Sequence, residues 1–316
     1  MVSSSAVGPL HVAASVGLSV AVGISWWRRW LLERHGVATT FLAYARLRYR
    51  LLGGWKKLIV VADFDRTITT ARCGTSCHGV VESCAELSAE YKKATAKLFE
   101  HYYPIETSAT LTREEKIPLM QEWYHQAHTL LLAEPFTPTL LDSAAKRSAV
   151  ALRPGFAELF TRLHDNGAPL VVCSAGLGNV IRAVLLHLLP ARQAGRAERV
   201  PIVSNWLHFD AKGVVSAFSQ PLLHMFNKDG AWIRSHVDGF DVLSQDRDVV
   251  MLLGDGLGDA TMADGLGIQN VVKVGFLNET APDRVSARLP AYRRAFDVVL
   301  LGDQSFEWIN ALLRSL

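Results

Sequence analysis

Apolar runs of four to six residues alternate with amphipathic stretches from residue 57 to the end of the chain. The runs rich in Val, Ile and Leu predict strands at Lys57–Ala62, Ala168–Cys173, Pro201–Ser204, Asp248–Leu253, Asn270–Gly275 and Asp297–Leu301. Strands that are apolar throughout are typical of a parallel sheet covered on both faces. The stretches Gly155–Asp165 and Gly178–Leu189 predict helices between strands. The pattern therefore indicates an α/β fold with a doubly wound, mainly parallel sheet.

The interval from Thr70 to Ala151 breaks this alternation. It contains no convincing strand pattern, only helix-like segments such as "SCAELSAEYKKATAKLFEHYY" and "REEKIPLMQEWYHQAHTLLLA". In the second segment, Pro118 is expected in the first turn or at a kink. An all-helical insertion directly after the first strand indicates a cap over the strand ends. We therefore predict a catalytic core formed by residues 57–72 and 150–316, and a helical cap domain formed by residues 73–149.

Residues 1–56 form a leader with an apolar half and a basic half. The segment Ala6–Trp27 carries no formal charge for 22 residues and then meets "WWRRW". This pattern favours membrane association through residues 6–30, with the catalytic domain in the cytoplasm. Interspersed Gly, Pro and Ser weaken the span, and an Arg-rich, acid-poor leader also fits mitochondrial or other organellar import. "FLAYARLRYRLL" is expected to form a basic amphipathic helix on a membrane, and an inert extension is the third alternative.

Charge and cysteine usage narrow the classes of partner. Residues 1–62 hold eight basic side chains and one acid, but no nucleic-acid-binding motif, so we expect no nucleic acid partner. Four cysteines in 316 residues argue against a disulfide scaffold and favour a reducing compartment. Cys73, Cys77 and His78 suggest a zinc site, but no second ligand pair follows at metal spacing.

Polar side chains follow several of the predicted strands. They comprise four carboxylates, two hydroxyls and one ammonium: Asp63, Asp65, Thr67, Ser174, Lys228, Asp255 and Asp259. In doubly wound folds, ligands bind beyond the carboxyl ends of the strands, so these groups are expected to meet at one edge.

This set of groups suits the attack of a carboxylate on a phosphate monoester. An aspartate needs no base to activate it, but its repulsion from the phosphate dianion requires a divalent cation and a lysine. Carboxylate and carbonyl oxygens are ligands that Mg²⁺ accepts. A second acid must protonate the leaving alkoxide and then deprotonate water. Asp63 and Asp65 can divide these two roles.

The motifs DxDxT, a strand-end Ser, Lys and GDxxxD, in this order, resemble the haloacid dehalogenase-like phosphatases. Further segments resemble the cytosolic 5′-nucleotidase type III (pyrimidine 5′-nucleotidase) family over essentially all of residues 57–316; they include "YYPIE", "EKIPLMQEWY", "LRPGF", "CSAGLGN" and "LLGDGLGDATMADG". No segment of the first 56 residues resembles the family.

The resemblance implies roles for individual residues. Asp63 would be the nucleophile and Asp65 the acid/base, while Lys228 would stabilise the phosphoryl oxygens. Mg²⁺ would bind the Asp63 carboxylate, the Asp65 main-chain carbonyl and Asp255, with Asp259 ordering its water ligands. The substrate would be a nucleoside 5′-monophosphate, CMP or UMP, or alternatively 7-methyl-GMP, hydrolysed through an aspartyl-phosphate intermediate.

The resemblance also implies which residues bind the substrate. Ser174, Ala175 and Thr67, with Lys228, would contact the phosphate. Glu106 would contact the base, and the aromatics of the cap fall at Trp123 and Tyr124.

Two positions depart from the family's pattern, and the base preference stays open. Arg66 stands where the family commonly has an apolar residue, and it adds positive charge beside the phosphate or reaches a carboxylate of the cap. Ala127 replaces a serine of members that act on 7-methylguanosine monophosphate, although Trp123 and Tyr124 are more like those members.

Two alternatives to a nucleotidase remain, a phosphatase for another small phosphomonoester and an inactive, membrane-tethered scaffold. The presence of every catalytic residue argues against the scaffold.

Overall fold

The computed structural model describes residues 36–39, 41–108, 110–314 and 316. Its central sheet has seven strands in the order β1-β9-β8-β7-β2-β3-β4. Their bounds are β1 Val37–Thr39, β2 Leu58–Ala62, β3 Leu170–Leu177, β4 Ile202–Asn205, β7 Val249–Gly254, β8 Asn270–Leu277 and β9 Val298–Leu301. The strands β5 Leu207–Phe209 and β6 Val215–Phe218 form a separate antiparallel hairpin. Every neighbouring pair in the central sheet is parallel except β1 and β9.

Helices connect the strands and cover both faces of the sheet. They are α1 Phe41–Arg50, α2 Cys77–Glu82, α3 Ala89–Thr107, α4 Arg113–Leu132, α5 Pro138–Arg147, α6 Phe156–Asp165, α7 Gly178–Leu188, α8 Ala194–Glu198, α9 Gly230–His236, α10 Phe240–Ser244, α11 Pro282–Ala295 and α12 Glu307–Leu313.

The strand β2 shows why this sequence forms the centre of a two-faced sheet. Leu58, Val60 and Ala62 join the hydrophobic cluster on one face, whereas Ile59 and Val61 join the cluster on the other. Because side chains alternate along a strand, a continuous apolar run can be buried on both sides. The doubly wound, mainly parallel sheet predicted from the sequence is therefore confirmed, and all six predicted strands are present.

The structure departs from the predicted boundary between leader and core at residue 56, because elements within residues 37–39 and 41–53 pack with the sheet. The strand β1 pairs with the last strand, β9, and α1 follows it. Leu47 in α1 and Leu51, which directly follows the helix, are each 1% exposed and join the same hydrophobic cluster. The basic helix predicted to lie on a membrane therefore packs against the sheet. The predicted membrane association through residues 6–30 lies outside the described residues.

Within the described ranges, no helix has the length and apolar character that crossing a bilayer requires.

The segment 73–149 contains the helices α2 to α5 and, among its described residues, no strand. Thr112 and Glu115 form a capping box at the start of α4, each accepting a backbone hydrogen bond of the other residue. Pro118 lies inside α4 and not in its first turn.

The hairpin β5–β6 is an element that the sequence analysis missed, and it packs against the helical segment. The rings of His128 in α4 and Phe218 in β6 stack with centroids 3.6 Å apart. The Val215 amide donates to the Phe136 carbonyl at 2.8 Å. Residues distant in sequence from 73–149 therefore support the helices of that segment.

Replacing Leu47 with Ala tests whether α1 contributes to the core. We expect Leu47→Ala to lower the free energy of unfolding by about 2–5 kcal/mol, because it removes buried methyl groups and leaves a cavity. The measurement is chemical denaturation of the full chain. Leu52→Ala is the control, since Leu52 is 75% exposed and its truncation should leave the midpoint almost unchanged. Equal effects of the two variants would contradict the placement of α1.

Candidate active site

A buried lysine joins two carboxylates at the carboxyl edge of the sheet. Asp63 directly follows β2, and its amide donates to the Leu253 carbonyl of β7 at 2.9 Å. The Nζ atom of Lys228 lies 2.6 Å from Asp63 Oδ1 and 2.7 Å from Asp259 Oδ1. All three side chains are buried. The structure therefore brings together three of the residues that the sequence analysis singled out.

Burial and the neighbouring charges both shift the pKa values of Asp63 and Lys228. Burial raises the pKa of Asp63 well above its ordinary value, the ammonium of Lys228 opposes that rise, and Asp259 adds to it. Burial also acts to lower the pKa of Lys228, but Asp259 and Asp63 raise it well above its ordinary value. The lysine is therefore held as a cation between the two acids.

The turn after β7 presents Asp255 and anchors Asp259. The Asp259 Oδ2 atom accepts the amides of Asp255 at 3.1 Å and Gly256 at 2.8 Å. A Cβ atom on Gly254 would lie 2.3 Å from the Asp259 Cβ, so this position excludes any larger residue. Burial raises the pKa of Asp255 to about 7, and the neighbouring Asp259 charge contributes to the rise. Thr67 Oγ1 donates to Asp255 Oδ1 at 3.5 Å.

Three carboxylates fit a hard divalent cation at this edge. One oxygen each of Asp63, Asp255 and Asp259 lies within 4.8 Å of the others. Like charges this close are mutually unfavourable, and a divalent metal with oxygen ligands relieves that repulsion. Among the described residues, the cluster differs from the predicted ligand set in including the Asp259 side chain. The Asp65 side chain is not part of it.

Asp65 faces a different environment from Asp63. Its Oδ1 atom accepts the Cys77 amide at 2.9 Å, and the Cys77 thiol lies 3.4 Å from the same oxygen. Burial raises the pKa of Asp65, although the hydrogen bonds from Cys77 oppose the rise. Two aspartates separated by one residue thus occupy distinct surroundings, as a nucleophile and an acid/base require.

Ser174 and Ala175 lie in β3 at a break in the strand register. The pairing of β3 with β4 shifts between Cys173 and Leu177, which is a bulge at the site edge. Ser174 is buried, and its Oγ atom accepts the Gly176 amide at 3.1 Å. The Ala175 carbonyl accepts the Asn205 side-chain amide at 3.0 Å. The irregular pairing therefore falls in the segment that carries both residues predicted to bind the phosphate.

A buried arginine holds the loop that carries the aspartates, and the sequence analysis did not identify it. Arg153 is 1% exposed; its Nε atom donates to the Thr67 carbonyl at 2.8 Å, and its Nη2 atom donates to the Arg66 carbonyl. Its Nη1 atom lies 2.9 Å from Asp303 Oδ1. Asp303 also accepts the amides of Ala71 at 2.9 Å and Arg72 at 3.2 Å. The only sequence signal was the segment "LRPGF", which contains Arg153.

Arg66 adopts an unusual backbone conformation within this loop. Its φ is 60°, a left-handed value that costs free energy in a residue with a Cβ. The Asn278 side chain donates to the Arg66 carbonyl at 2.9 Å, and the Arg66 amide donates to Thr69 Oγ1 at 2.9 Å. These bonds, with Arg153, stabilise the turn. The Arg66 side chain is exposed; burial acts to lower its pKa, while the nearby Tyr103 hydroxyl in α3 and the Asp255 charge raise it.

The helical segment contributes Glu106 and aromatic rings above the strand ends. Burial raises the pKa of Glu106 to about 7, and the positive charges of Arg66 and Lys116 oppose the rise. Trp123 stacks on Tyr102 with centroids 5.7 Å apart, so much of its ring contacts the helices themselves. Burial raises the pKa of Tyr124, and nearby Glu106 adds to the rise. Tyr124 therefore lies near the charged groups of the site, which the sequence alone did not show.

The zinc alternative is not supported by the positions of its three residues. The Cys73 thiol donates to the Thr70 carbonyl at 2.9 Å. The Cys77 thiol faces Asp65, and the ring of His78 lies edge-on to Tyr124 at 5.7 Å. In the described part of the chain these three side chains form no metal-binding group.

Comparisons with known proteins agree with this geometry. A family model described as pyrimidine 5′-nucleotidase (UMPH-1) matches residues 64–316. The 7-methylguanosine phosphate-specific 5′-nucleotidase of Gallus gallus is 38% identical over 268 residues, covering 83% of this chain and 88% of the relative. The Homo sapiens protein of that name is 33% identical over 268 residues, covering 83% and 85%.

Solved structures share the architecture. The crystal structure of cytosolic 5′-nucleotidase IIIB bound to cytidine superposes with a TM-score of 0.77 at 32% identity, covering 91% of this chain and 95% of that chain. A probable phosphoserine phosphatase from Vibrio cholerae shares the fold, with a TM-score of 0.51 at 14% identity.

A mainly parallel sheet with a carboxylate pair after β2, a serine in β3, a buried lysine and carboxylates after β7, together with the family match and the 5′-nucleotidase IIIB structure, defines a haloacid dehalogenase-like hydrolase. Such a class implies a divalent metal, and the clustered carboxylates of Asp63, Asp255 and Asp259 fit one. Within that class, the chain belongs to the pyrimidine 5′-nucleotidase family, which the sequence resemblance had indicated. The prediction that it is a 5′-nucleotidase, a phosphoric monoester hydrolase, is confirmed.

Neutralising Asp303 tests the role of the Arg153 ion pair. We expect Asp303→Asn to lower the free energy of unfolding by about 3–5 kcal/mol, because it leaves a buried guanidinium without its counter-charge. Denaturant unfolding measures the change. Asp241→Asn is a matched control, because Asp241 also pairs with an arginine, Arg234, but is 76% exposed. A loss of stability no larger than that of the control would contradict a stabilising role for the Arg153–Asp303 ion pair.

Proposed function

We propose that this protein is a Mg²⁺-dependent 5′-nucleotidase that acts on nucleoside 5′-monophosphates whose base presents hydrogen-bond donors to Glu106. One observation carries the proposal: Lys228 lies between Asp63 and Asp259, beside a cluster of three carboxylates, while Asp65 is held apart. The separation supplies a nucleophile and an acid in one site.

The residues divide the reaction as follows. An oxygen of Asp63 attacks phosphorus, the bond from phosphorus to O5′ breaks, and the proton of Asp65 passes to O5′ of the leaving nucleoside. A water then attacks the aspartyl phosphate and gives its proton to Asp65, which restores Asp63 and releases phosphate. Lys228 and the groups at Ser174 and Ala175 bind the phosphoryl oxygens. Asp63, the Asp65 carbonyl and Asp255, with support from Asp259, would hold Mg²⁺, which would supply positive charge that offsets the repulsion between the two anions.

The protonation state of Glu106 determines which nucleobases can form hydrogen bonds with its side chain. An ionised carboxylate only accepts hydrogen bonds, whereas a protonated one also donates. Cytosine and 7-methylguanine both present amino donors, while the corresponding edge of uracil presents a carbonyl. The names of the relatives, which specify 7-methylguanosine phosphate, and the cytidine bound in the structural relative are consistent with this preference.

Replacing the nucleophile tests the core of the proposal. Asp63→Asn should lower kcat/KM by at least about a thousandfold, because an amide cannot attack phosphorus under these conditions. Phosphate release would be measured on CMP, UMP, 7-methyl-GMP, AMP, GMP and sugar phosphates, with Mg²⁺ and after chelation. Asp283→Asn, an exposed change of the same chemistry in the first turn of α11, is the control. Substantial activity in Asp63→Asn, or a preference for sugar phosphates in the unaltered protein, would contradict the proposal.

The pKa of Glu106 predicts a pH-dependent preference between CMP and UMP. Its value of about 7 means that the side chain is mostly protonated at pH 6 and mostly ionised at pH 8. The ratio of kcat/KM for CMP to that for UMP should therefore rise by severalfold between these pH values. Glu106→Gln, which donates and accepts at every pH, should flatten the profile. A flat ratio in the unaltered protein would remove Glu106 from base selection.

A further inference from the structure

The acid/base Asp65 receives both of its described hydrogen bonds from one residue. The Cys77 amide lies 2.9 Å from Asp65 Oδ1, and the Cys77 thiol lies 3.4 Å from the same atom. Lys228 instead bonds Asp63 and Asp259, and the Asp65 side chain is not part of the carboxylate cluster. What orients the carboxylate that must deliver a proton is therefore Cys77.

The backbone around Cys77 explains why its amide is available. Cys77 is the first residue of α2, and Ser76 before it is extended, with φ −125° and ψ 178°. The Ser76 side chain accepts the Gly79 amide. The amide of a first helical residue has no partner within its helix. Here that amide donates to Asp65 across a separation of 12 residues.

Cys77 is also packed against the segment that binds phosphate. Its side chain is 1% exposed, and a Cβ atom placed on Gly176 would lie 2.9 Å from both its Cβ and its Sγ atoms. Gly176 in turn donates to Ser174 Oγ at 3.1 Å. The thiol is therefore packed between Asp65 and the Ser174–Gly176 segment.

Building on the proposed function, we propose that Cys77 is a positioning residue that fixes the acid/base. By holding Oδ1 of Asp65 with its amide and thiol, Cys77 leaves Oδ2 as the oxygen that carries the proton to O5′. Because Cys77 begins the first helix of the segment 73–149, displacement of that helix also displaces the acid. The nucleophile, held by Lys228, does not depend on this contact.

The experiment separates the acid from the nucleophile by changing only the leaving atom. The two substrates are CMP and its analogue with sulfur in place of O5′, which share base and sugar. An alkoxide needs a proton to leave, whereas a thiolate leaves without one. Because kcat/KM reports the steps up to the first cleavage, phosphate release from CMP and thiol release from the analogue measure that step directly.

Two substitutions remove the two donors in turn. Cys77→Ala removes the thiol and keeps the amide, and we expect a loss of about threefold on CMP. Cys77→Pro also removes the amide; proline is favoured at the first helical position, and the extended Ser76 suits a following proline. We expect Cys77→Pro to lose roughly 30- to 100-fold on CMP and less than about threefold on the sulfur analogue, within the range that acid catalysis contributes.

Matched controls address folding. Ala89→Pro places proline at the first residue of α3, where the side chain is exposed, and Cys84→Ala truncates another buried cysteine, near the end of α2. Both should retain activity on both substrates. Equal losses of Cys77→Pro on the two substrates, or no loss, would overturn the inference. If that variant does not fold, a Cys77→Ala loss that is absent or equal on both substrates overturns it. Failure of the unaltered protein to hydrolyse CMP or 7-methyl-GMP would instead contradict the proposed function.

Discussion

The buried ammonium of Lys228 offsets the charge of the buried aspartates on which the rest of the site depends. It contacts Asp63 at 2.6 Å and Asp259 at 2.7 Å in a region where water is almost excluded. A carboxylate buried without a counter-charge would become protonated and so lose its ability to attack. In the proposed reaction, the lysine and a divalent cation bound by the three clustered carboxylates would together allow an anion to meet a phosphate.

The difference between Asp63 and Asp65 follows from the short chain between them. Phe64 is buried in the core, so Asp63 stays at the end of β2 among the charged groups. The left-handed turn at Arg66 then redirects the chain, and Asp65 reaches the amide of Cys77. One motif thereby serves two environments. The helical segment 73–149 therefore contacts the second aspartate through Cys77, in addition to placing Glu106 above the strand ends.

Much of the fold was predictable because the central strands are apolar over their whole length. A run such as Leu58–Ala62 has few alternatives to a buried parallel strand, and the polar residues after it had to lie at the sheet edge. The edge strand Val37–Thr39 was missed because three residues carry too little pattern, and its partner β9 lies about 260 positions away in the chain. The hairpin β5–β6 was missed for a similar reason, since its strands have only three and four residues. Arg153 and Asp303 were beyond prediction because their pairing depends on the three-dimensional path and follows no local period.

The ion pair of Arg153 and Asp303 has a consequence for biosynthesis. All four aspartates of the site have been synthesised by residue 259, yet the loop carrying two of them is tied by Asn278 and Asp303. A nascent chain therefore contains all of the reactive groups before it can hold them in register. Because domains fold as units during translation, the loop is fully held only after the residues from Asn278 to Asp303 have joined the fold.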